Sequence, residues 1–275
     1  MGWNDNIGND FNYFVKLSMA YSKNKAVLLS ESRKDYPWLY NQGLPLQISR
    51  ALIADGYWNS YAEINNPDNP YNTYGPNPIP GDIKYKDVNG DMKIDNNDRV
   101  PMDYSTLTPR TTYAGSLGFS YKGFDFSMLL QGATNMIYMP SGFSQRLGQG
   151  GDKAVFDWIS DRWTPNNRDS NYPVLHSFSE LTESSSNYIP SSYWAYDDTY
   201  IRIKNIQVGY LLPQKLTNPL HIASLRFTVT AQNLYTWTLD DRMNNYDPEA
   251  WSGGGGLESY YPIMKMYNFG IDVTF

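Results

Sequence analysis

Residues 267–275 read "YNFGIDVTF", with Tyr267, Phe269, Ile271, Val273 and Phe275 at alternate positions and Asn268, Gly270, Asp272 and Thr274 between them. Successive side chains of a β-strand point to opposite faces, so the alternation specifies a strand with one apolar and one polar face, carried to the final phenylalanine. A terminus in water is usually frayed and polar. An apolar face kept to the last residue asks for an apolar surrounding.

Outward from this stretch the same pattern recurs. "FNYFVKLSMAY" (11–21) places Phe11, Tyr13, Val15, Leu17, Met19 and Tyr21 on one face and Lys16 and Ser18 on the other. In "TYAGSLGFSYKGFDFSMLLQG" (112–132), Tyr113, Leu117, Phe119 and Tyr121 lead into a Lys122-Gly123 turn, and Phe124, Phe126, Met128 and Leu130 lead away, which reads as a hairpin. "LRFTVTAQNLYTW" (225–237) puts Leu225, Phe227, Val229, Ala231, Tyr235 and Trp237 opposite Arg226, Thr228, Thr230 and Gln232. "YIRIKNIQVGY" (200–210) changes parity between Ile203 and Ile206, so a bulge is expected near Asn205.

The connections alternate in length. "KG" and "LPQKLTNPLHIAS" (212–224) are short, whereas 22–108, 140–197 and 238–262 are long and rich in aromatic residues, Gly, Pro, Asn and Asp. Outer-membrane barrels have short turns at one end, long loops at the other, an apolar band facing lipid and a polar lumen. A soluble β-sandwich shows the same alternation in strands that are often shorter. Strand length and Tyr/Phe-rich strand ends favour an all-β, antiparallel transmembrane barrel segment with long extracellular loops. Six long strands are expected, near 11–24, 109–121, 123–139, 198–210, 224–238 and 263–275, with residues 1–4 as the stump of a seventh. The smallest barrels have about eight strands, so this is an incomplete barrel. The organisation that follows is strands and a periplasmic turn in 1–21, a long extracellular excursion in 22–108, and C-terminal strands in 109–275 with loops 140–197 and 238–262.

Composition agrees. The 275 residues include 24 Tyr, 11 Phe and 8 Trp, and the net charge of −6 excludes the basic surface of a nucleic-acid binder. There is no cysteine, hence no disulfide framework. The longest apolar runs, such as "AVLL" at 26–29, fall far short of the ~20 residues of a membrane helix. "MGWNDNIGND" has neither the basic nor the apolar region of a signal peptide.

The sharpest chemical motif is "DVNGDMKIDNND". Asp87, Asn89, Asp91, the Lys93 carbonyl, Asp95 and Asp98 occupy positions 1, 3, 5, 7, 9 and 12 of an EF-hand-like loop, the oxygen spacing that a calcium ion takes from one turning segment. Met92 stands at the sixth position, where glycine is usual, and Asp98 replaces the longer glutamate. The alternative is an Asx-rich turn that binds nothing. Trp58, Trp158, Trp194, Trp237 and Trp251 lie in or beside the long loops, where Trp58, Trp158, Trp194 and Trp251 are candidates to stack on substrate and packing is the competing role. "GDKAVFDWISDRWTPNN" (151–167) reads as a short helix with Asp152 as N-cap, an apolar face of Val155, Ile159 and Trp163, and Pro165 as stop, packed on the outer loops or touching ligand. His176 and His221 are far apart and lack acidic or cysteine partners at metal or triad spacing, "SGGGG" (252–256) lacks the Lys-Ser/Thr of a phosphate loop, and the two acids of "DPE" (247–249) have no cleft written around them. No enzyme is expected.

The chain also resembles a family. "IADG" followed by "YWNSYAEI" (57–64), then "GDIKYKDVNGDMKIDNNDR", "YKGFDFSMLLQG", "TYIRIKNIQVGYLLP", "QNLYTWT", "DPE" and the terminal "YNFGIDVTF", in that order, are similar to the C-terminal part of SusC/RagA-type TonB-dependent outer-membrane transporters. The resemblance implies a barrel of about 22 strands with an N-terminal plug, placed in the bacterial outer membrane of Bacteroidota. It further implies a SusD-like surface lipoprotein that captures oligosaccharide or peptide, and coupling to TonB through the missing N-terminal part. The aromatic terminus is then the signal read by the barrel-assembly machinery. Two functions follow as expectations: a C-terminal fragment of a nutrient-uptake receptor, or a secreted calcium-stabilised carbohydrate-binding β-module, in which a terminal aromatic strand has no use.

Overall fold

The structure, a computed structural model, describes residues 1–75, 78–140, 160–176, 186–250 and 261–275. Seven strands form one antiparallel sheet in chain order: β1 (Gly2–Ile7), β2 (Phe11–Tyr21), β3 (Thr111–Tyr121), β4 (Phe124–Thr134), β5 (Tyr200–Leu211), β6 (Ser224–Thr238) and β7 (Met266–Thr274). All six expected strands are present, with the largest difference at the end of β4, and the stump expected at residues 1–4 is a six-residue strand. β1 and β7 are the two edges of an open sheet. In hydrocarbon an unpaired edge is prohibitive, so further strands must pair with both.

The hairpin turn between β3 and β4 has Lys122 at φ +46° and Gly123 at φ +85°. Positive φ at both central residues matches the right-handed twist of the flanking strands. A Cβ on Gly123 would stand 2.6 Å from the Leu211 carbonyl oxygen, so the turn also needs its second residue to be glycine. On β5 the bulge falls at Lys204, since Asn205 pairs with Leu129 while Ile203 pairs with Leu130. The extra residue turns both Lys204 and Asn205 inward and keeps Ile203 and Ile206 outward, which explains the parity change in the sequence.

The two faces of the sheet differ sharply. Outward lie Leu17, Met19, Phe227, Val229, Phe269, Ile271 and Val273, all exposed, with Phe269 at 81% and Met19 at 74%. Register aligns these rows across strands: Val15 opposite Leu117, Val229 opposite Phe269, Phe227 opposite Ile271. Rings gather at both ends of the band. Phe119 lies 5.7 Å from Phe11 and 5.5 Å from Phe126 near the short turns, while Tyr235 and Trp237 meet at 4.6 Å near the long loops. A contiguous apolar surface of this size between aromatic rows is what lipid requires and water penalises. The inner face carries Lys16, Ser18, Gln131, Gln207 and Thr230, with Asn12 hydrogen-bonded to Ser120 at 3.3 Å.

Beyond one end of the sheet, the described residues of 22–110, 135–199 and 239–265 build a second layer with its own small strands and core. Ile48–Ala51 pairs with Val100–Ser105, Ala54–Tyr57 with Ile83–Tyr85, and Ile137–Tyr138 with Tyr196–Asp197. Leu52, Ile83, Tyr85, Ile94, Tyr138, Trp194, Tyr196 and Met243 pack together from all three long connections. Each such aliphatic side chain stabilises the layer by about 1.5–3 kcal/mol through burial. The loops are thus a folded cap on one end of the wall.

Candidate substrate-facing site

Three inward residues at the top of β5 fasten the cap to the wall. Arg202 donates from Nη2 to Asp247 Oδ1 at 2.6 Å, from Nη1 to Glu249 Oε2 at 3.0 Å and from Nε to Thr236 Oγ1 at 2.7 Å. Lys204 also donates to Glu249, and the Tyr200 hydroxyl donates to Glu249 Oε1 at 3.0 Å. Burial would raise the Asp247 carboxyl, but the hydrogen bonds from Arg202 and from the Glu249 and Ile263 N–H groups outweigh it and hold the group below the usual carboxylate range. The two acids of "DPE" are therefore anchors held by cations, not an acid and base facing a cleft. Tyr200, Arg202 and Lys204 share one parity in the sequence, and that signal could have marked them as the lumen face of β5.

Within the cap, buried polar bridges cross between loops. Asp82 accepts from Asn187 Nδ2 at 2.7 Å and from the Ile79 N–H at 2.8 Å, and its Oδ1 lies 2.5 Å from His176 Nε2. Arg242 chelates Asp240, donates to the Tyr193 carbonyl at 2.9 Å and lies 4.1 Å from the Tyr196 ring centre. These contacts give His176 a partner that its sequence neighbourhood does not show, in a bridge between loops. His221 sits at φ +56° beside the short turn before β6, far from this site.

Trp194 is fully enclosed and donates from Nε1 to the Asn187 carbonyl at 2.6 Å, and Trp58 is 6% exposed with Lys84 Nζ 5.0 Å over its ring. Rings so placed supply packing; no open stacking face is left on Trp194. Trp237 belongs to the outward aromatic row, not to a loop. Trp158, Trp251, the "SGGGG" stretch and residues 151–159 of the expected 151–167 helix lie outside the described residues; from Arg162 onward that stretch is not helical, because the Trp163 N–H bonds to the Tyr172 carbonyl and Thr164 pairs with Asn167.

The Asp-rich loop closes through its own carboxylates. Asp87 accepts from the N–H groups of Gly90 (2.7 Å) and Met92 (2.8 Å), Asn89 Oδ1 from Asp91 N–H (3.0 Å), and Asp91 Oδ1 from Lys93 N–H (3.0 Å). Asp98, fully buried, accepts from Val88 and Asp95, and Asp95 accepts from Asn97 at 2.6 Å. Met92 has φ +65°, the left-handed turn that glycine would adopt freely. Among the described residues no three acidic or histidine side chains converge as a metal site would need.

A cavity of about 410 Å³ lies where the wall meets the cap, lined by Thr112 and Gln131 of the lumen face and by Ala133, Met136, Asp198 and Glu249. Asp198 is 3% exposed, and its Oδ1 has no hydrogen-bond partner. Burial, then the negative charges of Asp197 and Asp247, push its carboxyl up to about 8. Nothing local in "AYDDTY" distinguishes Asp198 from Asp197; the cap creates the difference.

A sheet with an outward apolar band, inward polar side chains and a folded cap over one end defines the wall of an outer-membrane β-barrel. Within that class, the chain is similar over most of its length to TonB-dependent receptors of the bacterial outer membrane, and its fold matches part of the RagAB peptide transporter. No family model matches. TonB-dependent receptor P26 of Formosa agariphila is 28% identical over 210 residues, covering 72% of this chain and 20% of the relative. TonB-dependent receptor P3 of the same organism is 24% identical over 291 residues, covering 98% and 27%. The RagAB peptide transporter structure matches the whole chain and 28% of its own at a TM-score of 0.68 with 19% identity, and the RagAB peptide importer in the 'closed-closed' state matches at 0.65. The chain thus spans between 20% and 28% of the length of these relatives. They are receptors and a transporter, in line with the non-enzymatic reading.

Proposed function

We propose that this chain supplies part of the wall and the extracellular cap of an outer-membrane receptor that imports a nutrient oligomer, peptide or glycan. The observation that carries this reading is the clamp of Arg202 and Lys204 on Asp247 and Glu249, which fixes a folded loop layer over the lumen side of a lipid-facing sheet and leaves a cavity between them. The structurally similar RagAB is a peptide transporter, which favours peptide. A surface lipoprotein seated on the cap and energy delivered by TonB through other parts of the receptor complete the proposal. The secreted-module alternative is disfavoured by the exposed rows of Leu17, Met19, Phe269 and Ile271, which water would not tolerate on a monomer.

Calcium in the Asp-rich loop is a separate proposal, supported by the order of oxygens from Asp87 to Asp98 and by the left-handed turn at Met92; the carboxylates, which here accept backbone N–H groups, would have to turn inward and converge to hold the ion. Because N–H groups already close the turn, the ion acts there as reinforcement and not as the determinant of the fold.

The test of the uptake reading is deletion of the gene carrying this segment, followed by growth on peptide mixtures and on glycans as sole nutrient. Loss of growth on one class, restored by the intact gene, supports it. Unchanged growth and unchanged cell accumulation of both classes contradict it.

A further inference from the structure

We propose that Lys23, Lys25 and Arg110 form a binding site for the phosphate of a lipid headgroup, at the rim where the wall leaves the membrane beneath the cap. The site goes beyond the uptake reading and rests only on the lipid-facing wall.

β2 carries its outward row up to Tyr21, which is 62% exposed. The pairing does not stop there. Ser22 donates its N–H to the Arg110 carbonyl at 2.8 Å, and Ala26 donates to the Leu44 carbonyl and accepts from the Gly43 N–H, both at 2.8 Å. Between these ties the chain keeps the alternation of the strand below it: Ala26 is buried, and its neighbours Lys25 and Val27 are exposed. Tyr21, Lys23, Lys25 and Val27 thus continue one outward row. At about 3.4 Å per residue and a tilt of about 40°, Lys23 and Lys25 stand ~5 and ~10 Å beyond Tyr21 along the membrane normal. Interfacial aromatic rows lie at headgroup level, and flexible lysine stems just above them reach back to the lipid phosphates.

A concavity of about 280 Å³ gathers both lysines with Arg110, between the chain at 43–48 and that at 101–103. The Arg110 guanidinium lies 5.0 Å from the Tyr104 ring centre and donates to the Asp103 carbonyl, which fixes its plane and leaves it N–H groups to spare. Among the described residues Lys23 and Lys25 have no ion-pair partner. Asp103, the one acid among the residues that line the concavity, is paired with none of the three cations.

Three cations against one acid leave an excess of two positive charges in one concavity, on a chain whose net charge is −6. Such a local excess repels a metal ion or an amine and attracts an anion. A planar guanidinium beside two ammonium groups suits phosphate, which accepts a paired contact from the first and point charges from the others. Basic clusters at a membrane rim are read by anionic headgroups, and the continuity of the row with the lipid face selects a lipid over a free anion. Leu44, Pro45 and Ile48 supply apolar wall for the carbon-bearing part of the headgroup.

The experiment uses a complete receptor carrying this segment, purified in non-ionic detergent and titrated by native mass spectrometry with diphosphoryl lipid A and with the same lipid stripped of its phosphates. The phosphorylated form is expected to bind about tenfold or more tightly, in line with two or three basic residues acting at a membrane surface. Lys23→Gln with Lys25→Gln is expected to remove most of that preference, leaving the dephosphorylated lipid and the heat-modifiable gel mobility unchanged. Equal binding of the two lipids by the unmodified receptor, which needs no variant to fold, overturns the site. An unchanged preference in the double variant also overturns it. Sodium phosphate or tetra-glutamate that displaces the lipid at equal concentration assigns the concavity to a soluble anion and overturns the lipid assignment. Each of these outcomes leaves the uptake reading to the growth test.

Discussion

Arg202 on β5 and Asp247 in the cap meet at 2.6 Å with side chains only 4% and 6% exposed, so the ion pair that joins wall to loops is itself shielded from water. Breaking such a pair leaves an uncompensated buried charge. Arg202→Ala should therefore destabilise the 239–265 connection by about 3 kcal/mol or more, while Lys204 keeps Glu249 partly held. Limited proteolysis should cut this connection in the variant at protease levels that spare the parent, with the barrel still resistant to detergent. The double variant Arg202→Met with Asp247→Leu should be less damaging than either change alone, since no charge is then stranded.

The lipid face gives a second prediction. Val229 points outward opposite Phe269, and Thr230 points into the lumen opposite Asn268. Val229→Arg should cost roughly 2–4 kcal/mol near the midplane and reduce the folded fraction in the outer membrane. Thr230→Arg, one residue away, should assemble nearly as well as the parent, as judged by heat-modifiable gel mobility.

In the Asp-rich loop, Asp87 receives two N–H groups and Met92 holds a left-handed conformation at φ +65°. Asp87→Ala should open the turn with or without calcium, read as faster cleavage within 87–98. Met92→Gly should relieve about 1 kcal/mol of backbone strain and slow that cleavage. Chelation should have a smaller effect than Asp87→Ala, in keeping with an ion that reinforces a turn already closed.

Asp198 makes the cap pH-dependent. Its folded pKa, about 8, lies above the ordinary 3.8, so the native state keeps a proton that the unfolded chain has released over this interval. The stabilisation from that proton is complete below about pH 4 and declines as pH rises toward about 8. Asp198→Asn should flatten this portion of the cap's stability profile, measured by hydrogen exchange of the amides at positions 198 and 199.

Much of the wall was legible in the sequence because lipid and lumen impose period-two alternation residue by residue. The Lys122-Gly123 turn and the parity change between Ile203 and Ile206 were readable on the same ground. The cap was not, because its strands are two to six residues long and owe their positions to packing across connections far apart in the chain. Trp194 and Asp198 show why. Whether a loop tryptophan is a platform or a core ring, and whether an aspartate is solvated or stranded, depends on neighbours such as Leu52, Tyr138 and Asp247 that lie far away along the chain. The clamp stands between these cases: the inward parity of Tyr200, Arg202 and Lys204 was written in the strand, and its acidic partners were not.

The central claim, that this sheet is a barrel wall with one face in lipid, is tested most directly by a spin-label accessibility scan over 225–231 of β6 and at 203–206 of β5, in a complete receptor reconstituted in bilayers. Oxygen accessibility should peak at 225, 227, 229 and 231 and at 203 and 206, with a water-soluble nickel reagent favouring 226, 228, 230, 204 and 205. Equal access of the nickel reagent to Phe227, Val229 and their neighbours would contradict the account.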